Sequence, residues 1–279
     1  MFDFYYGSKK DIVSNPEDFL IFVKKLLPKS CNSLPETALI TLFRELKKTK
    51  ANVIIETGVG ASTICFFLYC YLYNKKFYSF DLDQFKISLV RQAINEGICK
   101  HLNINIFKYW YSVNSDSTSE YCGIYALKEK RKEKFNFLFL DSDHNHNHVK
   151  KEINAFLKIS EKNSCIMLDD SNMKFINHNN GYINVLRKKM DLKPISIKNN
   201  ISKNALSKTI FDYLKKNTRK TQRIYNPHLL KFSKDSFYRY FGPDVKYAKE
   251  KSGSEFSKFL SKKEKNIIKT RISIFKIKK

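Results

Sequence analysis

The sequence predicts an α/β protein built on a doubly wound parallel sheet, and three observations carry that expectation. Between Asn52 and Asp170 five short apolar runs of strand length are separated by helical segments. The runs are apolar throughout rather than alternating, as in strands covered on both faces. The first of them ends in Glu56-Thr57 and passes straight into Gly58-Val-Gly60 and a helix, which is how an open parallel sheet receives a nucleotide-like cofactor.

Taken in order, Asn15-Pro16 is a helix-start signal, and Phe19, Ile21, Phe22, Leu26 and Leu27 lie on one side of the helix that follows. A second helix carries Ala38, Leu39, Leu42 and Leu46, so residues 1–50 are expected to form a helical cap. The core, residues 51–175, reads as strands 52–57, 77–81, 104–109, 136–141 and 164–169. Helices 61–73, 84–96, 124–132 and 146–158 separate them. Residues 176–279 form a basic insert and extension: a loop at Asn177–Gly181, a helix over 182–190, an edge segment at Leu192–Lys198, helical structure over 202–235 and a short strand at Asp244–Ala248. Arg271-Ile-Ser-Ile-Phe-Lys-Ile277 alternates as a last strand. Paired antiparallel beside strand five, it would leave the insert before it as a substrate lid.

Composition narrows the function classes. With 279 residues and 42% hydrophobic content the chain can bury a generous core, and disorder throughout is excluded. The start lacks the basic-then-apolar order of a secretory signal, and the longest apolar run, Ile64 to Tyr73, is too short to span a bilayer. Six cysteines without a Cys-x-x-Cys pair read as reduced thiols of a cytoplasmic protein, with neither a zinc ribbon nor a disulfide framework. The net charge of +25 is concentrated in residues 181–279, and it is carried by 44 lysines against 8 arginines. Lysine, asparagine and isoleucine are abundant together and share A/T-rich codons, so base composition accounts for much of the excess. A surface for an anionic substrate or a membrane ranks behind that explanation and nucleic-acid binding behind both, since a dedicated phosphate reader favours arginine's bidentate fork.

Candidate site residues recur at the strand ends. Asp81 lies 21 residues beyond Gly60, where an acid accepts hydrogen bonds from both hydroxyls of an adenosine ribose. Asp83 is better placed to cap the helix starting near Gln84. After strand three, Asn114-Ser-Asp-Ser-Thr118 supplies a polar turn where Asp116 would accept the exocyclic amine of an adenine with Ser117 nearby, or else cap a helix. Strands four and five end in Asp141-Ser-Asp143-His144 and Asp169-Asp170-Ser171. Adjacent strand-end carboxylates repel unless a cation neutralises them, and such oxygen-rich ligation suits Mg²⁺. His144, His146 and His148 would suggest zinc in an extended segment, but helical spacing puts His144 and His148 on one face. The simpler reading has His144 facing the site as a base or polar contact and His146 facing water.

Glu56-Thr-Gly-Val-Gly-Ala-Ser62, Asp81, the Ser115-Asp116-Ser117 turn, Leu140-Asp-Ser-Asp-His144 and Leu168-Asp-Asp-Ser171 together resemble class I S-adenosylmethionine (SAM)-dependent methyltransferases. Within them the chain looks most like the small O-methyltransferase branch with Asp-x-x-His after strand four, which includes enzymes acting on sugars and secondary metabolites. The resemblance covers residues 50–172 and implies a Rossmann-like seven-stranded, mostly parallel sheet with an antiparallel last strand. It places the methionine end of SAM against Glu56, Gly58, Gly60 and Ser62, the ribose on Asp81 and the adenine near Asp116 and Ser117. It implies Asp141, Asp169 and Asp170 as ligands of Mg²⁺ where a metal is used, with His144 taking the proton of a hydroxyl bound at that centre. The acceptor would be a glycan or small molecule, acidic or phosphorylated if the basic region contacts it. No Asn/Asp-Pro-Pro-aromatic element follows strand four, which argues against methylation of a nucleobase amine.

Two other classes compete. Asp81-Leu-Asp83 and Asp141-Ser-Asp143 both match the Asp-x-Asp pair with which glycosyltransferases hold a metal and a nucleotide sugar. A non-catalytic RNA-binding protein would use the basic C-terminal third, with steeply salt-dependent affinity.

Overall fold

The apolar runs become strands of one sheet because both of their faces find cover. The computed structural model describes residues 9–32, 34, 36–130, 132–171, 175–177, 190–193, 200–224 and 272–279. Its strands are β1 (Val53–Thr57), β2 (Lys76–Asp81), β3 (Trp110–Asn114), β4 (Phe135–Leu140), β5 (Asn163–Leu168), β6 (Phe175–Asn177), β7 (Asn200–Ile201), β8 (Lys220–Ile224) and β9 (Ser273–Lys278). Seven of them form a sheet in the order β3-β2-β1-β4-β5-β9-β8, and β6 pairs with β7 in a separate ribbon. Strands β1 to β5 are mutually parallel, and β9 is antiparallel to both β5 and β8. The antiparallel last strand is therefore where the alternation of Arg271 to Ile277 predicts it.

Helices α1 (Lys9–Ser14), α2 (Pro16–Lys24), α3 (Glu36–Thr49), α4 (Ala61–Tyr73), α5 (Gln84–Ile94), α6 (Lys100–Leu102), α7 (His146–Ile159) and α8 (Leu206–Asn217) flank the sheet. Successive strand residues point to opposite faces, so Phe137 and Phe139 join a core with residues of α2 to α5. Leu138 and Leu140 join a second core with residues of α7 and α8. Each fully buried Phe or Leu side chain contributes about 1.5–3 kcal/mol of transfer free energy. The N-terminal helices belong to the first core, since Phe19, Leu20, Leu39 and Leu42 cluster with Ile64 and Leu68 of α4. Arg44 of α3 also grips Glu17 of α2 with two hydrogen bonds of 2.7 and 2.6 Å. That pair is partly solvated, so it orients the helices more than it stabilises them.

Several boundaries depart from the expectation. The third strand is residues 110–114, not 104–109. Asn105 Oδ1 accepts from the Phe107 amide and starts a 3₁₀ turn over Ile106–Lys108, with Ile106 buried as a plug. The segment after β3 is 3₁₀ (Ile124–Lys130) rather than α-helix. The helix expected over 202–235 stops at Asn217, and Lys220-Thr-Gln-Arg-Ile224 turns back as β8 on the free edge of β9. Most of the loop at 177–181 lies outside the described residues, as do the helix over 182–190, the edge segment at 192–198 and the strand at 244–248, wholly or mainly.

Candidate active site

The chain leaves β1 toward β2 on one side and returns to β4 on the other, so a crevice opens between β1 and β4 at their carboxyl ends, the place where open α/β sheets bind ligands. The ladder runs one residue past each strand there. The Ser115 amide donates to Asp81 O (3.1 Å), Gly58 N to Phe80 O (2.9 Å), Asp141 N to Thr57 O (2.9 Å) and Asp169 N to Leu140 O (3.0 Å). Residues predicted from five separate motifs thus stand in one row along a single sheet edge.

Gly58 has φ +86, and a Cβ there would lie 2.1 Å from Asp141 O. The left-handed turn and the close approach both require glycine. Beneath the turn, Glu56 is fully buried. Its carboxylate accepts from Ser62 Oγ (2.6 Å), Thr63 Oγ1 (2.9 and 3.1 Å) and Ser79 Oγ (2.5 Å), while Thr63 Oγ1 itself accepts the Gly60 amide (3.0 Å). Burial outweighs these hydrogen bonds and the nearby Lys86 charge, so the Glu56 carboxyl is pushed up to about 7. The Ser62 hydroxyl is thereby turned toward Glu56. The start of α4 presents backbone N–H groups that helix geometry leaves without an internal acceptor, as an anionic end of a cofactor needs.

Asp81 accepts from the Val59 amide (2.8 Å) and the Asp83 amide (2.8 Å), and Lys86 Nζ lies 3.3 Å from it. The ribose candidate is thus tied to the glycine turn itself. Asp83 caps α5 through the Phe85 and Lys86 amides, as its position predicts. Asp143 accepts from Asn145 Nδ2 (2.6 Å). Both Asp-x-Asp pairs therefore spend a carboxylate on local donors. Asp116 is exposed and accepts from the Thr118 amide and hydroxyl (2.7 and 2.8 Å), a local turn of the kind its bland reading anticipates. Ser117 is buried and donates to Glu152 Oε1 (2.5 Å).

At the ends of β4 and β5, His144 Nε2 lies 3.6 Å from Asp141 Oδ1 and 3.6 Å from Asp170 Oδ2, all three partly exposed. Asp169 is buried at 1% exposure, and Asp170 takes a left-handed φ of 42. Among the described residues no group of three His, Cys, Asp or Glu side chains is gathered closely enough to hold a metal ion. Asp141 and Asp170 each bring a carboxylate oxygen to His144 Nε2, and carboxylates are the protein donors that Mg²⁺ takes, with water and substrate completing its shell. The donor chemistry fits that ion.

The three neighbouring histidines diverge. Helix α7 begins only at His146, so His144 precedes it in a loop and does not share a helix face with His148. His146 is buried at 3% exposure rather than facing water. His148 turns to Glu152, 3.3 Å away. Glu152 itself, with Ser142, Thr63, Ser79 and Lys86, is absent from the residues anticipated from sequence. Only Glu152 leaves a signal there, as an acid inside the apolar stripe Val149, Ile153, Phe156.

The seven-stranded topology and the family match given next make the chain a class I SAM-dependent O-methyltransferase, with the glycine turn, the buried glutamate, the acid on the next strand and the Asp–His pair along one sheet edge. More narrowly, the chain belongs to the Rhamnosyl O-methyltransferase/CmcI family, whose profile matches residues 29–182. The O-methyltransferase from Bacillus cereus, solved in complex with SAH (S-adenosylhomocysteine), is 14% identical, covers 94% of this chain and 90% of its own, and superposes with a TM-score of 0.51. An apo TDP-rhamnose 3'-O-methyltransferase of calicheamicin biosynthesis is 16% identical over 67% of this chain and 80% of its own, with a TM-score of 0.39. A SAH-bound methyltransferase from Podospora anserina is 10% identical over 81% and 94%, with a TM-score of 0.43. At 14% identity the likeness to the Bacillus cereus enzyme is one of fold. No curated protein matches the sequence.

Proposed function

We propose that the protein methylates a hydroxyl of a sugar, with His144 as the base. The observation that carries this is His144 Nε2 held 3.6 Å from both Asp141 and Asp170, beside the Gly58 turn that packs against Asp141. The family's description supplies the sugar. A basic C-terminal third suits an acceptor that bears phosphate, such as a nucleotide-linked sugar.

In this reading Glu56, Gly58, Gly60 and Ser62 receive the methionine end of SAM, Asp81 the ribose, and Asp116 and Ser117 the adenine. Asp141 and Asp170 would hold Mg²⁺, with the buried Asp169 as the third acid of the set. When bound, the ion makes a coordinated hydroxyl more acidic. The protein's task is to align an acceptor oxygen with an already activated methyl group and to remove one proton. Flanked by two carboxylates, His144 is oriented to take that proton at Nε2. The free state of all six cysteines, five of them buried, suits a reducing compartment and supports a cytoplasmic location. No described helix is long and apolar enough to cross a membrane.

The test is methyl transfer from labelled SAM to a panel of free and nucleotide-linked deoxysugars, with and without EDTA. His144→Ala and Asp141→Ala are expected to lower turnover by about 10²–10⁴-fold while SAH affinity stays near wild type. Retained turnover in both variants would remove the base and metal roles together, and transfer confined to non-sugar acceptors would remove the substrate class.

A further inference from the structure

Glu152 lies on α7, and its side chain is fully buried. One of its oxygens is crowded: Oε1 accepts from Ser117 Oγ (2.5 Å) and Ser142 Oγ (2.7 Å), with His148 Nε2 3.3 Å away. The other, Oε2, is buried with no hydrogen-bond partner among the described residues. Burial opposes charge on both members of the pair. Even so, Glu152, with Asp143 and Asp116 behind it, raises His148 to about 9, and His148 with the two serines holds Glu152 below the usual carboxylate range. An ion pair that leaves an oxygen unpaired in the core is a poor device for stability alone, since apolar packing serves as well or better.

The two serines come from different places. Ser117 belongs to the loop after β3 and Ser142 to the loop after β4, and β2 and β1 lie between those strands. Their axes are about 14 Å apart at the usual strand spacing. No ladder bond joins strands so far apart, whereas a side chain rising from α7 beneath them reaches both loops.

We propose that Glu152 is a positioning residue that fastens the loop after β3 to the loop after β4 through Ser117 and Ser142, and so keeps the adenosine end of the cofactor site in shape. The proposal rests on the placement of adenine at Asp116 and Ser117 given above. Glu152→Gln keeps the shape but removes the charge that His148 faces, and a neutral amide oxygen accepts from the two serines more weakly than a carboxylate does. Ser142→Ala removes one arm of the tether and leaves the ion pair and the proposed adenine contact intact.

The experiment measures SAH affinity by calorimetry and steady-state kinetics for SAM on the full chain, for wild type, Glu152→Gln, Ser142→Ala and the double variant. Glu152→Gln is expected to raise the SAH Kd and the SAM KM by about tenfold or more, with kcat at saturating SAM within about threefold, a split that a general loss of folding does not produce. Ser142→Ala shifts Kd the same way by less, and the double variant falls short of the sum of the two single effects, because both changes act on one tether. A Kd within about twofold of wild type in both single variants overturns the tether. So does an unchanged Kd in Ser142→Ala if Glu152→Gln does not fold. Wild-type protein that fails to bind SAH overturns the cofactor placement and the tether with it, an outcome distinct from wild type and variants binding equally well.

Discussion

Glu56 ties the stability of the cofactor-free protein to pH in a way that one substitution should expose. In the folded chain its carboxyl is fully buried and pushed from the ordinary 4.5 to about 7, burial outweighing the hydroxyls of Ser62, Ser79 and Thr63. The folded state therefore keeps its proton over a range where the unfolded chain has released it. The stabilisation is present in full below pH 4.5, declines as pH rises, and is gone above about 7. The span between those values corresponds to about 3 kcal/mol. Glu56→Gln removes the titration with little change of shape, and the surrounding hydroxyls can turn to accept from the new amide as readily as they donate to the carboxylate. Denaturant unfolding of both proteins without cofactor, from pH 4.5 to 8, isolates the effect, because every other titrating group is shared. The variant should gain on wild type by up to about 3 kcal/mol between the ends of that range. Parallel stability curves would show that the folded carboxyl titrates as it does in the unfolded chain, and the burial argument would fail. Under the proposed function the same variant should bind SAH more weakly, since Glu56 holds Ser62 and Thr63 at the start of α4, where the methionine end is placed.

The remaining predictions concern the turn and the cap beside it. Gly58→Ala should cost about 3 kcal/mol or more in unfolding free energy, because its Cβ would meet Asp141 O at 2.1 Å on a φ of +86, whereas Gly60→Ala, with 3.3 Å to Cys31 O, should cost under about 1 kcal/mol; equal midpoints would contradict the steric account. Asp83→Ala removes the acceptor of two α5 amides and should lower stability by about 1 kcal/mol with SAH affinity unchanged, and a loss of affinity instead would mean that Asp83, not only Asp81, meets the ligand.

How far the site could be read from sequence depended on whether a residue's role is local. Gly58, Asp81 and Asp141 follow from strand ends and loop spacing, and the sheet brings all three to one edge. The cap at Asp83 was legible for the same reason. Helical phase taken from His144 turns His146 toward water, whereas the helix begins two residues later with Asn145 as its cap and buries it. The third strand slipped because Ile104 and Ile106 look like strand residues, yet Asn105 folds them into a turn and Trp110 takes the pairing with Phe77. Ser79 and Ser142 carried no signal, since a lone serine acquires a role only from the carboxylate that happens to face it.

By itself the chain determined the alternation of strands and helices between residues 52 and 170, the glycine turn and the acids at the strand tips, since these are set by residues close in sequence. The tertiary structure alone decided that Glu56 would be sealed under three hydroxyls, that Asp81 would clasp the Val59 amide, and that Glu152 would reach two loops at once. Those arrangements join residues up to 35 positions apart. Burial, which sets the energy of each charge, is a property of packing that no short stretch of sequence contains.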